Sequence, residues 1–193
     1  MKTSMKTRTL TGVALFTAIV AALQFLGSFI RFGPFSVSLV LIPIVVGAAL
    51  YGPGAGAWLG FAFGLAVILS GDAALFMPVS PLGTVATVLL KGTAAGCCAG
   101  LIFRAFGRKN VYTGVIAAAV ACPIVNTGVF LIGCLLFFME TISGWAAAAG
   151  FENVGTYMIV GFVGFNFLFE MLVNVILAPV ILRLVKIGKG RNK

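Results

Sequence analysis

Two ionisable residues, Lys91 and Glu170, lie inside long apolar stretches of the sequence. A charge at the centre of a bilayer costs about 2.5–3.5 kcal/mol on insertion scales, so such residues face a protein interior or a wet cavity and are functional candidates by default. A lysine can bind an anionic group of a solute, and a carboxylate can bind its hydroxyl or amide groups. The alternative is a structural ion pair between the two side chains.

Three asparagines place neutral polar groups beside these charges. Asn166, Glu170 and Asn174 are spaced i, i+4, i+8 and therefore share one face of a helix. Asn126 lies in the preceding apolar stretch, at a depth similar to those of Lys91 and Glu170. We interpret these residues as a small-molecule pocket open to the outside. Interhelical hydrogen bonding is the structural alternative.

Two loop charges are candidates for a lid over this pocket. Arg31 lies in the first predicted outer loop, and Asp72 lies in the segment Gly71–Pro81, which its prolines should hold in an ordered loop. Ordinary solvated loop charge is the alternative for both residues, and for Arg31 the sequence favours neither interpretation.

These side chains must be positioned by membrane-spanning helices. The chain has 193 residues, of which 61% are hydrophobic and 9% charged, whereas a soluble domain has about 25% charged residues. Because one span needs about 20 residues, the apolar stretches predict an all-α membrane protein, a six-transmembrane-helix bundle that forms a single integral membrane domain over residues 1–193. The predicted helices cover approximately residues 11–29, 37–50, 55–70, 82–106, 112–139 and 157–185, with a longer loop at 140–155.

The basic residues predict the orientation of this bundle. Eleven of the 13 lysines and arginines lie before the first predicted helix, between the fourth and fifth, and after the sixth, whereas Asp72, Glu140 and Glu152 fall in the other connections. Six spans put all three basic segments on one side of the membrane, so the positive-inside rule predicts a cytoplasmic N-terminus and C-terminus. Topology then explains the net charge of +9, and we expect no nucleic-acid partner.

Several kinds of chemistry lack their residues in this sequence. The chain has no histidine, and its four cysteines lie in apolar runs without a CxxC motif, so we expect neither a metal site nor a cofactor. It contains no G-x-x-x-x-G-K-[ST], HExxH or GxSxG motif, which predicts a protein without a P-loop for ATP and without enzymatic activity.

One face of the first predicted helix carries small residues. Ala14, Ala18 and Ala22 are spaced i, i+4, i+8, and small residues let a second helix approach closely. Because alanine is common in any membrane helix, this row alone is weak evidence for a docking face.

Over nearly its whole length, the chain resembles the substrate-binding S components of energy-coupling factor (ECF) vitamin transporters. The resemblance rests on the length, the six predicted spans, the cytoplasmic termini and several stretches of sequence. These stretches are the alanine row of the first helix, Phe35–Leu39 with Gly52–Gly56, Asn126–Phe130 and Glu170–Asn174.

The resemblance implies a substrate-binding subunit in a prokaryotic plasma membrane. S components capture a vitamin from outside, dock through small residues of helix 1 on a membrane scaffold subunit coupled to two cytoplasmic ATPase subunits, and are thought to topple in the membrane. Their pockets are built from helices 4 to 6 and capped by the outer loops after helices 1 and 3. Pantothenate is the first choice of ligand, because Lys91 suits its carboxylate and the amides suit its hydroxyl and amide groups. Riboflavin, folate or another micronutrient stays open.

Three other functions are compatible with parts of the pattern. A stand-alone proton-coupled carrier would depend on Glu170, a structural membrane subunit would use the alanine row, and an intramembrane enzyme would use Glu170 as acid or base. The chain has four acidic residues in all and no paired intramembrane carboxylates, which disfavours the enzyme.

Overall fold

The computed structural model describes residues 2–29, 31–32, 35–36 and 39–190. Within these residues the fold is helical, apart from a two-residue antiparallel hairpin of β1 (Arg31–Phe32) and β2 (Phe35–Ser36). The α-helices are α1 (Lys2–Gly27), α2 (Leu41–Tyr51), α3 (Pro53–Leu69), α4 (Pro81–Phe106), α5 (Val111–Phe137), α6 (Met139–Ala148), α7 (Val154–Thr156), α8 (Gly164–Ile176) and α9 (Ala178–Gly190). A π-helix, Tyr157–Phe162, joins α7 to α8.

Three helical segments are long and apolar enough to cross a membrane, namely Thr7–Gly27 of α1, α4 and α5. The segments Val154–Phe162 and Gly164–Ile176, which meet at 42°, give a fourth crossing if the bent pair forms one span. Helix α2 has 11 residues and is therefore about 16 Å long, short of a hydrocarbon core of about 30 Å. By length and composition, the described residues contain three or four candidate spans, so the six predicted spans are not confirmed.

The segment 140–155, predicted as a loop, contains α6. Ile142 and Ala146 bury one face of this helix, and Glu140 in its first turn interacts favourably with the helix dipole. Apolar residues four apart are a helical pattern, so the loop prediction was wrong for this part of the segment.

The predicted sixth helix, 157–185, is broken twice. The first break follows the π-helix at Val163, and the second lies at Leu177, between α8 and α9. Pro179 is in the first turn of α9, where its missing N–H is tolerated, whereas it would interrupt a helix that continued from α8. By contrast, α5 continues through Pro123 as one helix.

Helices α3 and α4 pack with their backbones in direct contact. Gly56 faces Gly96 and Gly60 faces Gly92, and a Cβ added to any of these four would collide with the partner's backbone carbonyl. Small residues four apart bring membrane helices this close. The contact fixes the position of α4, in which Lys91 precedes Gly92.

The α2–α3 turn, residues Leu50–Pro53, lies at one end of the bundle and contacts three other helices. Gly12 of α1, Gly100 of α4 and Gly188 of α9 all pack against it. The start of α1, the α4–α5 turn and the end of α9, which carry the basic segments, therefore lie at the same end.

The buried apolar residues form two clusters. The larger involves α1, α2, α3, α4, α5 and α9. The smaller, called here the aromatic cluster, consists of Phe76, Phe130, Cys134, Phe138, Ile142, Met158, Phe162 and Val163. It surrounds the far end of α5, away from the α2–α3 turn.

Candidate functional site

A cavity opens between the two clusters, where α4, α5 and α8 meet α1 and α3. The volume that the centre of a water molecule can occupy is about 70 Å³. All the empty space between the lining atoms, including the part open to solvent, amounts to about 700 Å³. Its polar lining residues are Gln24, Asp72, Lys91, Asn126, Thr127, Asn166 and Glu170. Five of the seven residues predicted to bind substrate thus line one cavity, which is called the substrate cavity below.

Lys91 extends from α4 over two aromatic rings. Its Nζ lies 5.6 Å from the centroid of the Phe63 ring and 5.2 Å from that of Phe130, so both rings stabilise the ammonium group through cation–π interactions. Lys91 and Glu170 form no ion pair within 4.0 Å, although both line the cavity. A direct ion pair, the structural alternative, therefore does not hold these two charges in place.

Glu170 is 3% exposed, and only one of its carboxylate oxygens has a hydrogen-bond partner. Asn166, one turn earlier in α8, donates from Nδ2 to Oε1 at 3.3 Å, whereas Oε2 has no partner among the described residues. An unsatisfied buried acceptor costs about 1–3 kcal/mol, and more when it is charged. This oxygen is therefore available to a donor on a bound molecule.

Asn126 presents a second unsatisfied acceptor. It is 5% exposed in α5, and its side-chain oxygen Oδ1 has no hydrogen-bond partner in the described part of the chain. Among the described residues, four buried side-chain oxygens lack a partner: those of Glu170 and Asn126 belong to residues that line the cavity, whereas Thr87 Oγ1 and Asn174 Oδ1 do not.

Gln24 joins α1 to the end of α3 and the turn that follows it. Its Nε2 donates to a carboxylate oxygen of Asp72 and, at 3.3 Å, to the hydroxyl of Ser70. The predicted set lacks Gln24 and Thr127. A signal for Gln24 exists, because it is the one polar residue between Thr17 and Ser28, and polar residues in membrane helices face the interior.

Of the other two predicted residues, only Asn174 has a described side chain, and it does not line the cavity. Asn174, one turn after Glu170, is buried, and its Nδ2 donates to the Glu170 backbone carbonyl at 2.8 Å. The side chain of Arg31 lies outside the described residues. The candidate docking residues are all exposed on α1: Ala14, Ala18 and Ala22.

Phe76 connects the substrate cavity to the aromatic cluster. Its ring centroid lies 5.8 Å from that of Phe130, 4.8 Å from Phe138 and 5.8 Å from Trp145. Edge-on and tilted rings at these distances pack favourably. The cavity therefore combines polar groups with a rigid apolar wall, as small-molecule sites generally do.

These features define a multi-pass helical membrane protein with a cavity suited to a small polar solute. The family model described as ECF transporter, substrate-specific component, matches residues 8–182, and the chain belongs to this family. It is a substrate-binding subunit of a transporter rather than an enzyme. Neither the curated proteins nor the solved structures contain a significant match to this chain.

Proposed function

We propose that this protein is the subunit of an ECF-type importer that captures a vitamin or related micronutrient from outside the cell. The observation that carries the proposal is the pair of buried, unpartnered oxygens, Glu170 Oε2 and Asn126 Oδ1, in one cavity with Lys91. Such acceptors are rare in folded proteins because they are costly. A ligand with N–H or O–H groups would satisfy both.

The same atoms restrict the chemistry of the ligand. Two acceptors call for two donors, Lys91 offers its ammonium group to an acceptor or an anion, and Phe63, Phe76 and Phe130 offer apolar surface. Pantothenate meets these requirements with a carboxylate at one end and hydroxyl and amide groups in the rest of the molecule, and it is our first choice. Riboflavin and folate also carry donors and acceptors, whereas nicotinate has no N–H or O–H donor besides its carboxyl group.

Identification of the molecule that the chain retains tests this proposal. The full-length chain is purified from cells grown with a complete vitamin supplement, and small molecules released by denaturation are identified by mass spectrometry. We expect pantothenate or another vitamin with at least two donors. A wild-type chain that retains no vitamin under these conditions would contradict the proposal.

Two variants test the placement of the ligand. Glu170→Gln should lower the retained amount by about tenfold or more, since hydrogen bonds to charged groups are worth about 1.5–3 kcal/mol. Glu140→Gln removes an exposed carboxylate outside the cavity and is the matched control. Equal retention by the two variants would place the ligand elsewhere.

We also propose that α1 docks on a membrane scaffold subunit that is coupled to two cytoplasmic ATPase subunits. Its alanine row is exposed. Only 11% of the residues in its most apolar stretch are buried inside the protein, against 39% in the corresponding stretches of α4 and α5. Ala18→Trp should abolish uptake by the assembled transporter and leave ligand binding unchanged, whereas Leu135→Trp, at an exposed site on α5, should affect neither. Uptake by vesicles that contain the chain alone would instead support a proton-coupled carrier.

The proposed topology has six crossings with both termini in the cytoplasm of a prokaryotic cell. Convergence of the basic segments at the α2–α3 turn supports this orientation. A reporter enzyme that is active only in the cytoplasm, fused after residue 193, should be active. An inactive reporter, with activity from an export-dependent one, would reverse the orientation.

A further inference from the structure

A second cavity, called here the arginine cavity, lies between the α2–α3 turn and the α4–α5 turn. The volume that the centre of a water molecule can occupy there is about 300 Å³. Three glycines, Gly52, Gly100 and Gly107, line it together with Arg104 and Arg108. It shares no lining residue with the substrate cavity.

The two arginines have no acid with which to pair. Arg104 and Arg108 are exposed and form no ion pair with any described residue. The chain has four acidic residues, none of which lines this cavity: Asp72, Glu140, Glu152 and Glu170. Helix α4 has 26 residues and is thus about 39 Å long, which separates Arg104 from the end that carries Asp72. The described acidic side chains therefore leave these arginines for an anion from outside the chain to neutralise.

Further basic residues lie near the arginine cavity. Gly188 of α9 packs against Leu50 in the cavity wall, which brings the exposed Lys186 to this end of the bundle. Lys109, also exposed, follows Arg108 in the α4–α5 turn. Such a concentration of one charge attracts anions and, next to a membrane, anionic lipids.

An apolar strip on the outer face of α4 leads to the arginines. Leu90, Cys97, Leu101 and Arg104 are separated by seven, four and three residues and therefore share one face of the helix. Leu90 is 61% exposed and Leu101 is 51% exposed, while α2, α3 and α5 pack against other faces of α4. A free anion could use only the arginines, whereas a lipid could use both the arginines and the strip.

We propose that the arginine cavity binds the phosphate headgroup of an anionic membrane lipid, whose acyl chain lies along the α4 strip. Arg104 and Arg108 donate to the phosphate oxygens, because the planar guanidinium group matches phosphate with paired hydrogen bonds. The lipid holds the α4–α5 turn at the headgroup layer of one leaflet. The proposed topology makes this the cytoplasmic leaflet, but the site does not depend on the identity of the substrate.

Lipid retention by the full-length chain tests the proposal. The chain is reconstituted in vesicles of phosphatidylcholine and phosphatidylglycerol, extracted in mild detergent, and its retained lipids are quantified by mass spectrometry. Wild type should be enriched in phosphatidylglycerol over the vesicle composition, and the double variant Arg104→Gln/Arg108→Gln should lose that enrichment by about tenfold. The control Arg8→Gln/Arg183→Gln removes the same charge from two exposed arginines and changes no residue that lines the cavity, so it should retain the enrichment.

Three results would overturn the proposal. Equal loss of phosphatidylglycerol in the two double variants would reduce the effect to general surface charge. Displacement of the lipid by millimolar inorganic phosphate would make the cavity a site for free phosphate. Unchanged lipid retention in the arginine variant, together with failure to assemble with the scaffold subunit, would assign the arginines to a protein partner. Unchanged thermal unfolding of both variants shows that they fold.

Discussion

Helix α4 borders two regions that differ in how they are packed. Against α3, four glycines bring the backbones together so closely that a single added carbon has no room. Around the substrate cavity, by contrast, aromatic and polar side chains of α3, α4, α5 and α8 line an open space, and two buried oxygens of the described residues keep no partner. Lys91 lies between these regions, since it precedes Gly92 of the glycine contact and extends over Phe63 and Phe130.

The difference indicates that the α3–α4 contact contributes mainly to the stability of the fold and the substrate cavity mainly to ligand binding. Close glycine contacts maximise packing, which drives helix association in lipid. Unsatisfied acceptors do the reverse, since each costs about 1–3 kcal/mol, and a ligand would satisfy the two that belong to residues of the substrate cavity. We therefore expect substitutions at the α3–α4 contact to damage the fold, and substitutions in the substrate cavity to damage ligand binding more than the fold.

The largest effect is expected at the glycine contact. Gly60→Ala places a methyl group against the backbone of Gly92, and overpacking of this kind costs about 1–3 kcal/mol or more. Gly54→Ala is the matched control in the same helix, because a Cβ there meets nothing within 4 Å. Thermal unfolding in detergent should show a lower midpoint for Gly60→Ala alone. If both variants unfold at the wild-type temperature, α3 and α4 can separate without cost, and the contrast disappears.

An intermediate effect with opposite signs is expected at Asn126. Asn126→Leu removes an unpartnered buried amide of similar size, so the ligand-free chain should be as stable as wild type or more stable by about 1 kcal/mol. Retention of the co-purified vitamin should fall by about tenfold. The control is Ile124→Leu, at an exposed position of the same helix, which should change neither quantity. A marked loss of stability with full ligand retention would make Asn126 structural.

Intramembrane polarity made much of the substrate cavity predictable. Lys91, Glu170 and Asn126 stand out against apolar surroundings, and the structure brings them to one cavity. The regular helical spacing that grouped Asn174 with Glu170 was less informative, because an asparagine side chain can donate to a backbone carbonyl one turn earlier, as Asn174 does.

Features that depend on tertiary contact were not predicted. The role of Gln24 requires the end of α3 to fold back on α1, and no local pattern reports that contact. The glycine spacing of the α3–α4 contact is visible in the sequence, as Gly56-x-x-x-Gly60 and Gly92-x-x-x-Gly96, but the pairing of the two motifs is not. The break at Val163 follows a π-helix, and hydropathy does not distinguish a π-helix from the turns of a continuous α-helix.

The smallest effect is expected where α1 meets the substrate cavity. Gln24→Met removes the hydrogen bonds to Asp72 and Ser70 at similar side-chain size and should cost about 1 kcal/mol of stability. Thr17→Val is the control, because it removes a different α1 contact, the 3.1 Å bond from Trp58 Nε1, away from the cavity. Both variants should unfold at slightly lower temperature, but only Gln24→Met should also lower vitamin retention, by a few-fold. If Gln24→Met and Thr17→Val lower vitamin retention equally, α1 affects the ligand only through its packing on the other helices. A loss confined to Gln24→Met would make α1 part of the substrate cavity as well as the proposed docking helix.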